Sequence, residues 1–597
     1  MKNNMGVLDI LKTIFRFGRV VDNAQRGRIW LTVVVYIALP LSDLIFNVYL
    51  LHYIVRNYDA FFSLERFTMI MLVLLLVQIL IWAIESYYTQ YYADDSIQRI
   101  CDYFLGKIYK NIEVVSSEEF DNPDFYDKYY FVLNNLKARI RSFFGIIEAV
   151  VASAMMIITL STIIFVTDPM LILFVLFPLF VECVVSPHIN KLQVSKRKED
   201  SNIDRHADYI QRVFYLKDYA KEIRTTHVKN ILFSQFERIV CDYNSTIKKF
   251  GKSIGIRNFL IEYSFQVFSF FCVVLYLVIK TFNNEVSPEN AIVIISTYNQ
   301  IVYSLKSMVD TYFGCLEQCV YFKEILDFTV FEHVSSIQTY SSIPDTIESI
   351  EFKNVSYRYK NSKDLALKNV SFKVVRGQKV VILGYNGAGK STLMKLISLT
   401  YKPTEGDIFI NGINVNQFDE KELRKKISVL RQNFVVFATD LEKNILLKSI
   451  ETDEDKAAFN CAIKKSGFLN KYVTLERGSK TIISKEFNDT GIVLSGGEMQ
   501  KVAIARVLAN DADVQLFDEP TSAMDPISEE SFFGAIFDVA KYNMTFIVSH
   551  NFSFAKKADY ILFFSEGELI EKGTHNYLIS SNKEYSRLFK LQAKYFE

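Results

Sequence analysis

The run Gly384-Tyr385-Asn386-Gly387-Ala388-Gly389-Lys390-Ser391-Thr392 has the make-up of a phosphate cradle. Its spacing is G-x-x-x-x-G-K-[ST], with the apolar run Val380-Val381-Ile382-Leu383 before it and the helix-like Leu393-Met394-Lys395-Leu396-Ile397 after it. Strand, glycine-rich loop and helix is the context such a loop needs. Gly384, Gly387 and Gly389 let the backbone curl until successive N–H groups point at phosphate oxygens, and the helix N-terminus adds partial positive charge. From Asn386 to Thr392 the cradle closes on the phosphates. Lys390 would reach the β- and γ-phosphates of a nucleotide, and the Ser391 hydroxyl would ligate Mg²⁺.

Two further stretches suit the same chemistry. Val514-Gln515-Leu516-Phe517 is an apolar strand that ends in Asp518-Glu519. Asp518 would sit at the sheet edge to hold Mg²⁺, and Glu519 would orient or deprotonate the attacking water. Many strands end in acids, so the pair carries weight only because it follows a phosphate loop. Leu494-Ser495-Gly496-Gly497-Glu498 opens a helix with a hydroxyl and free N–H groups, which makes a second anion site. The plain alternative is a capped helix start, which Ser also serves. One chain needs only one phosphate loop, so a second phosphate-sensing turn calls for a reason.

These stretches must be held by more than one domain, because the chain has 597 residues. Half of them are hydrophobic and 14% aromatic, and the mean hydropathy is +0.13. A net charge of +1 offers no general attraction to nucleic acid. The seven cysteines are scattered singly, which points to free thiols in a reducing compartment. The N-terminus is basic and amphipathic (Ile10, Leu11, Ile14 and Phe15 against Lys12, Arg16 and Arg19), as in an interfacial helix.

Apolar segments fill the first part of the chain and then stop. Six are long enough for a bilayer: 29–54, 67–88, 143–166, 170–185, 259–282 and 291–315. The last is the weakest, being amphipathic and carrying Tyr298, Asn299, Gln300 and Lys306. Thr167-Asp168-Pro169 makes a tight outer hairpin between the third and fourth. The links after the second and fourth are long, helical in pattern and basic (Arg99, Lys107, Lys137, Arg139; Lys191, Lys196, Arg205, Arg212). With the basic N-terminus, they place both termini and the long links in the cytoplasm. Each long link has an aromatic, charged bend suited to docking, at 120–126 and 215–222.

The domains expected are therefore a membrane domain at 1–330, a linker at 331–346 and a soluble α/β domain at 347–597. Strands are expected near 349–352 and 366–374. Acids at bilayer depth are costly and functional by default. Asp43, Glu85, Glu148, Glu182 and Glu262 qualify, with Asp43 and Glu262 the first choices for a cavity that suits a cationic substrate. Gln266, Tyr298, Asn299 and Gln300 could join them; the alternative is hydrogen bonding within the membrane.

Together, the phosphate loop, Leu494–Glu498, Asp518–Glu519 and His550 after Thr545-Phe546-Ile547-Val548-Ser549 resemble the ATP-binding cassette (ABC) domain. The resemblance implies a composite site: the Ser495-Gly496-Gly497-Glu498 turn of one subunit closes over ATP held by the other subunit's loop. It implies that Tyr359 stacks on adenine, that Gln432 touches Mg²⁺ and senses the membrane domain, that Asp525 in Ser522-Ala523-Met524-Asp525 crosses the dimer interface, and that His550 contacts the γ-phosphate.

The likeness covers the whole chain. Its fold class is an all-α six-span transmembrane domain, similar to type I exporters, followed by an α/β phosphate-loop ABC domain. It looks like a half-size exporter: a multi-pass cell-membrane ATPase that binds ATP and Mg²⁺ and pairs with a second half-transporter, a homodimer being the simplest case. Two departures stand out: Glu498 replaces the usual Gln, and Lys485-Glu486-Phe487-Asn488-Asp489-Thr490-Gly491 lacks the Thr-x-Val-Gly-Glu pattern of multidrug-type members. That variant is similar to exporters of modified peptides, so the expected substrate is a peptide. A first span starting near Ile29 leaves no room for an N-terminal peptidase domain, so any leader would be removed elsewhere. A lipid or drug flippase on the same scaffold, and a cassette protein that regulates another membrane protein, are the rival readings.

Overall fold

The computed structural model describes residues 7–44, 64–113, 115–329, 341–360, 362–487, 489–521, 529, 532–534, 536 and 543–593. The chain divides into two compact units. One comprises Met1–Val114 with Asp127–Glu332, and the other comprises Val115–Tyr126 with His333–Glu597.

The first unit is helical. Helices Leu64–Ser86 and Ala93–Ile112 run on through a π-helical turn, Tyr87–Tyr92. Pro123–Thr167 and Leu171–Tyr215 are each 45 residues long. Val228–Glu262 continues through a second π turn, Tyr263–Ser269, into Phe270–Phe282, and Pro288–Thr329 completes the set. Among the described residues four stretches are long and apolar enough to cross a membrane: Met71–Ile112, Pro123–Ser161, Leu171–Arg197 and Val228–Phe282. They contain most of expected spans two to five. The first expected span starts in helix Arg28–Leu44, and its remainder lies outside the described residues. The sixth lies in Pro288–Thr329, a helix too polar to be counted with those four. Leu72, Leu76, Leu80 and Trp82 on Leu64–Ser86 are all exposed, as a lipid-facing helix requires.

Local chemistry explains how these helices lock. Pro178 has no N–H, so the carbonyl four residues back, on Phe174, loses its helical donor. Ser269 Oγ (2.5 Å) and Tyr298 Oη (3.3 Å), from two other helices, supply replacements. At the expected hairpin, Asp168 accepts from the Met170 N–H, from Tyr276 Oη and from Lys280 Nζ at 2.9–3.1 Å. The N-terminal helix Val7–Ala24 buries Phe17 and Val21, and its Ile10 packs on Cys315 and Cys319, while Leu8, Leu11 and Phe15 remain exposed. It therefore offers both a packed and an open apolar stripe. All seven cysteines are free.

The second unit is built on two sheets. Strands β1 (Ser349–Tyr357), β2 (Leu367–Val375), β3 (Lys379–Gly384), β4 (Glu405–Ile410), β5 (Ile413–Asn414), β6 (Ile427–Leu430), β7 (Val514–Asp518), β8 (Met544–Val548), β9 (Tyr560–Ser565) and β10 (Glu568–Gly573) follow in order. An antiparallel sheet has the order β2-β1-β4-β5, and a six-stranded sheet the order β10-β9-β3-β8-β7-β6. In the latter, β3 runs parallel to β8 and β9, and β7 parallel to β8 and β6. Parallel strands covered on both faces must be apolar throughout. Val380, Val381, Ile382 and Leu383 are accordingly all fully buried, with even numbers in one core cluster and odd numbers in the other.

Candidate nucleotide-binding site

Ligands of open α/β sheets bind beyond the carboxyl ends of the parallel strands. Here β3 delivers the glycine-rich loop, β6 is followed by Gln432, β7 by Glu519, and β8 by His550. A cleft of ≈ 630 Å³ opens among them, lined by Tyr359, Ala366 and 386–392 in part, with Gln432, Glu519 and His550 opposite.

Two glycines shape the loop differently. Gly384 has φ 146°, and a Cβ there would lie 2.1 Å from the Phe564 carbonyl oxygen, so the close approach of β3 to β9 excludes any side chain. Gly387 has φ 76° with open space around it, so it is needed for its backbone conformation alone. Gly389 is the N-cap of helix Lys390–Ile397. Lys390 is buried and its Nζ donates to the carbonyls of Gly384 (2.9 Å) and Tyr385 (2.7 Å), which holds the ammonium over the loop. Burial pulls its pKa below the usual lysine range, against the pull of Glu519 and Asp518.

Asp518 ends β7 with its carboxyl raised above the usual range by burial and by the Glu519 charge. Ser391 hydrogen-bonds this carboxylate, yet Asp518 Oδ1 is buried with no hydrogen-bond partner. The next residue, Glu519, adopts φ 50°, uncommon for a non-glycine residue. That kink turns its carboxylate into the cleft, where Oε2 accepts from Gln432 Nε2 (2.9 Å) and Oε1 meets His550 Nε2 (2.7 Å). Ser391, Asp518 and Gln432 offer oxygen donors and an orphaned carboxylate oxygen, which fits Mg²⁺, a hard cation that relies on few protein ligands plus phosphate and water. When bound, Mg²⁺ would supply charge neutralisation at the phosphates.

Tyr359 also lines the cleft. Its hydroxyl is 3.1 Å from Thr392 Oγ1, and its ring meets those of Tyr357 and Tyr401 edge-on. Lys395 lies 5.3 Å from its ring centroid. Ser495 caps helix Gly496–Ala509 and forms a full capping box. Its Oγ accepts from the Glu498 N–H (3.3 Å), and Glu498 Oε2 accepts from the Ser495 N–H (2.8 Å). A Gln would close the same box. The carboxylate adds an ion pair with Lys471 (3.2 Å), which gives the Glu498 departure a local reason. None of Ser495, Gly496, Gly497 or Glu498 lines the cleft of its own chain. Asp525 lies outside the described residues.

Some contributors were not legible beforehand. Ala366, just before β2, lines the cleft. The last helix, Glu584–Ala593, ties down both walls. Glu584 accepts from the Tyr385 hydroxyl in the loop, and Gln592 Oε1 accepts from the Phe552 N–H (2.8 Å), two residues after His550. Residues that distant in sequence carry no local signal.

The membrane-depth acids separate. Glu262 is ion-paired with Lys306, and Glu148 lies beside Tyr36 and Arg28. Glu85 is half-buried and Glu182 fully buried. Tyr298 is committed to Phe174 and Ser269, as a packing residue would be. Asn299 is exposed and Gln300 half-buried, while the side chains of Asp43 and Gln266 lie outside the described residues.

Fold and cleft define a phosphate-loop nucleotide-binding domain fused to a helical half with bilayer-length apolar helices. Residues 367–522 match the family model described as ABC transporter. A subtilin transport ATP-binding protein, SpaT, of Bacillus subtilis is 25% identical over 530 residues, 86% of this chain and 85% of that protein. An ATP-dependent lipid A-core flippase of Chromohalobacter salexigens is 32% identical over 267 residues, 44% of this chain and 45% of its own. The mitochondrial iron–sulfur clusters transporter ATM1 of Candida glabrata is 36% identical over 247 residues, 41% of this chain and 33% of its own. The chain thus spans most of the first relative and less than half of the other two. Among solved structures, a bacterial Atm1-family ABC exporter with ATP bound superposes with a TM-score of 0.69 at 18% identity, covering 99% of each chain. Residues 367–522 are an ABC transporter domain, and the chain as a whole has the fold of an ABC exporter and is similar to ABC half-transporters of that type.

Proposed function

We propose that two copies of this chain form an ATP-driven peptide exporter. The observation that carries the composite site is the cleft itself. The cradle, Gln432, Glu519 and His550 converge, while the Ser495–Glu498 turn of the same chain takes no part in the lining. In this reading the turn of a second subunit completes the site, with Asp525 at the dimer interface, and ATP binding draws the cassettes together. Lys390 and the loop N–H groups hold the phosphates, Tyr359 takes the adenine, and Ser391, Asp518 and Gln432 hold Mg²⁺. Glu519 takes the proton of the attacking water, oriented by Gln432 and His550, and His550 faces the γ-phosphate. Six spans, with termini and cassette on the cytoplasmic side, complete the topology.

A peptide cargo is supported by the segment before the signature turn and by the match through both halves to a protein named for subtilin transport. The lipid A-core and iron–sulfur names come from relatives matched over less than half their length. ATP-dependent accumulation of a labelled peptide in inside-out vesicles, abolished by Glu519→Gln, is the expected result. Accumulation of no peptide, with ATP-dependent lipid flipping instead, would move the reading to a flippase. ATP hydrolysis with neither would favour a regulatory cassette protein.

A further inference from the structure

The helical half holds a second cleft, of ≈ 430 Å³, lined from helices Leu171–Tyr215, Val228–Glu262 and Pro288–Thr329. Four acids line it, Glu182, Glu262, Asp310 and Glu317, and Lys306 is the one basic residue in its described lining. Two of these acids already have counterions, since Lys306 pairs with Glu262, and Arg197 pairs with Glu317. Glu182 and Asp310 form no such pair among the described residues, which leaves the cleft with surplus negative charge.

Glu182 is the telling member. It is 1% exposed, and its Oε2 is buried without a hydrogen-bond partner. A carboxylate taken out of water is expensive unless donors meet it, and acids at bilayer depth face a cavity or a partner. Its charged neighbours are Asp310, Lys306 and Glu262, and the one cation among them, Lys306, is already paired with Glu262, so the acids outnumber the compensation there. Among the described residues no three His, Cys, Asp or Glu side chains are grouped to hold a metal ion. The group that suits this oxygen is an organic cation bearing N–H donors.

We propose that this cleft binds an ammonium or guanidinium group of the transported molecule. Glu182 accepts its hydrogen bond and Asp310 supplies the second charge. The proposal rests on the transporter reading and adds to it the chemistry of the cargo. It also moves the site from a first choice of the sequence, Glu262, to Glu182 and Asp310, because Glu262 is occupied by Lys306.

Nα-acetyl-arginine amide and Nα-acetyl-citrulline amide have nearly the same shape and differ in charge. Binding of each to the full chain in lipid nanodiscs, titrated by calorimetry, tests the site. The arginine compound should bind at least about tenfold more tightly, the scale of one charge-assisted hydrogen bond. Glu182→Gln should reduce that preference to about threefold or less, and Asp310→Asn, a second variant should the first misfold, should reduce it in part. Equal binding of the two compounds by the wild-type chain, or an undiminished preference in both variants, overturns the proposal. Vesicle uptake is scored separately. Preference without ATP-driven uptake keeps the cation site and sinks the pump reading, whereas uptake without preference sinks the site alone.

Discussion

Glu519 Oε1 stands 2.7 Å from His550 Nε2, while the other oxygen of the same carboxylate accepts from Gln432 Nε2 at 2.9 Å. Both oxygens are held, so the group is aimed before any nucleotide arrives. A general base contributes about 10²–10⁴ to a rate. Glu519→Gln should therefore cut phosphate release by at least about a hundredfold, with ATP binding kept within a small factor because the cradle is untouched. Removing His550 frees only one oxygen of the proposed base, so His550→Ala should cost less. Phosphate-release kinetics beside ATP filter binding measure both, and near-normal turnover in Glu519→Gln would remove it from the role of base.

The two loop glycines should fail differently. At Gly387 an added methyl meets open space, and the cost is that of a left-handed residue, about 1–2 kcal/mol. At Gly384 the methyl would overlap the Phe564 carbonyl at 2.1 Å, so β3 and β9 must part. Gly387→Ala should yield a folded chain with a slightly lower melting temperature and weakened ATP binding. Gly384→Ala should lose ATP binding and soluble yield together. Equal melting temperatures for the two variants would contradict this account.

How much of this could be read from the sequence depends on how local each signal is. The phosphate loop, β1 to β3 and the Asp518–Glu519 strand end are carried by neighbouring residues, and they lie where their spacing predicts. For Tyr298 the sequence leaves cavity lining and hydrogen bonding within the membrane both open, because its hydroxyl answers a carbonyl freed by Pro178, more than a hundred residues away. Glu182 and Glu262 look equivalent as isolated acids inside apolar runs. Only the fold reveals that Lys306 pairs directly with Glu262, while Glu182 keeps a buried oxygen without a hydrogen-bond partner. The π turns at Tyr87–Tyr92 and Tyr263–Ser269 contain no glycine or proline to mark a change of helix type.

Within the second unit, the bend at Val115–Tyr126 is tied to the nucleotide end of the cassette. Tyr357 Oη donates to Glu118 Oε1 (2.7 Å), Lys360 pairs with Glu119, and Asp121 meets both Tyr401 Oη and Lys395 Nζ. Tyr401 and Lys395 in turn contact the Tyr359 ring. A physical chain thus joins the bend to the proposed adenine stack. Chains of this kind shift coupling by about 0.5–2 kcal/mol. Asp121→Asn combined with Glu118→Gln should leave ATP hydrolysis near normal and lower cargo uptake per ATP by about threefold or more. Parallel assays of uptake and phosphate release in the same vesicles decide it, and an unchanged ratio would deny the bend a part in transmission.

Acidification should loosen the cassette at identifiable points. Asp455 is held down to about 2 by Lys448 Nζ (2.6 Å) and by the N–H groups of Glu451 (3.2 Å) and Thr452 (3.1 Å). Glu498 is also depressed, chiefly by the Ser495 N–H and with help from Lys471. A carboxyl whose folded pKa lies below its unfolded value, about 3.9 for Asp, stabilises the fold fully above that value. The contribution fades as pH falls through the folded pKa. For Asp455 the window therefore runs from about pH 4 down to about pH 2. Hydrogen exchange at the Glu451 and Thr452 amides should show protection that persists to about pH 3 in the wild-type chain. In Lys448→Met, which removes the largest cause of the depression, protection should fade at higher pH. Superimposable profiles for the two chains would show that Lys448 does not set this acid.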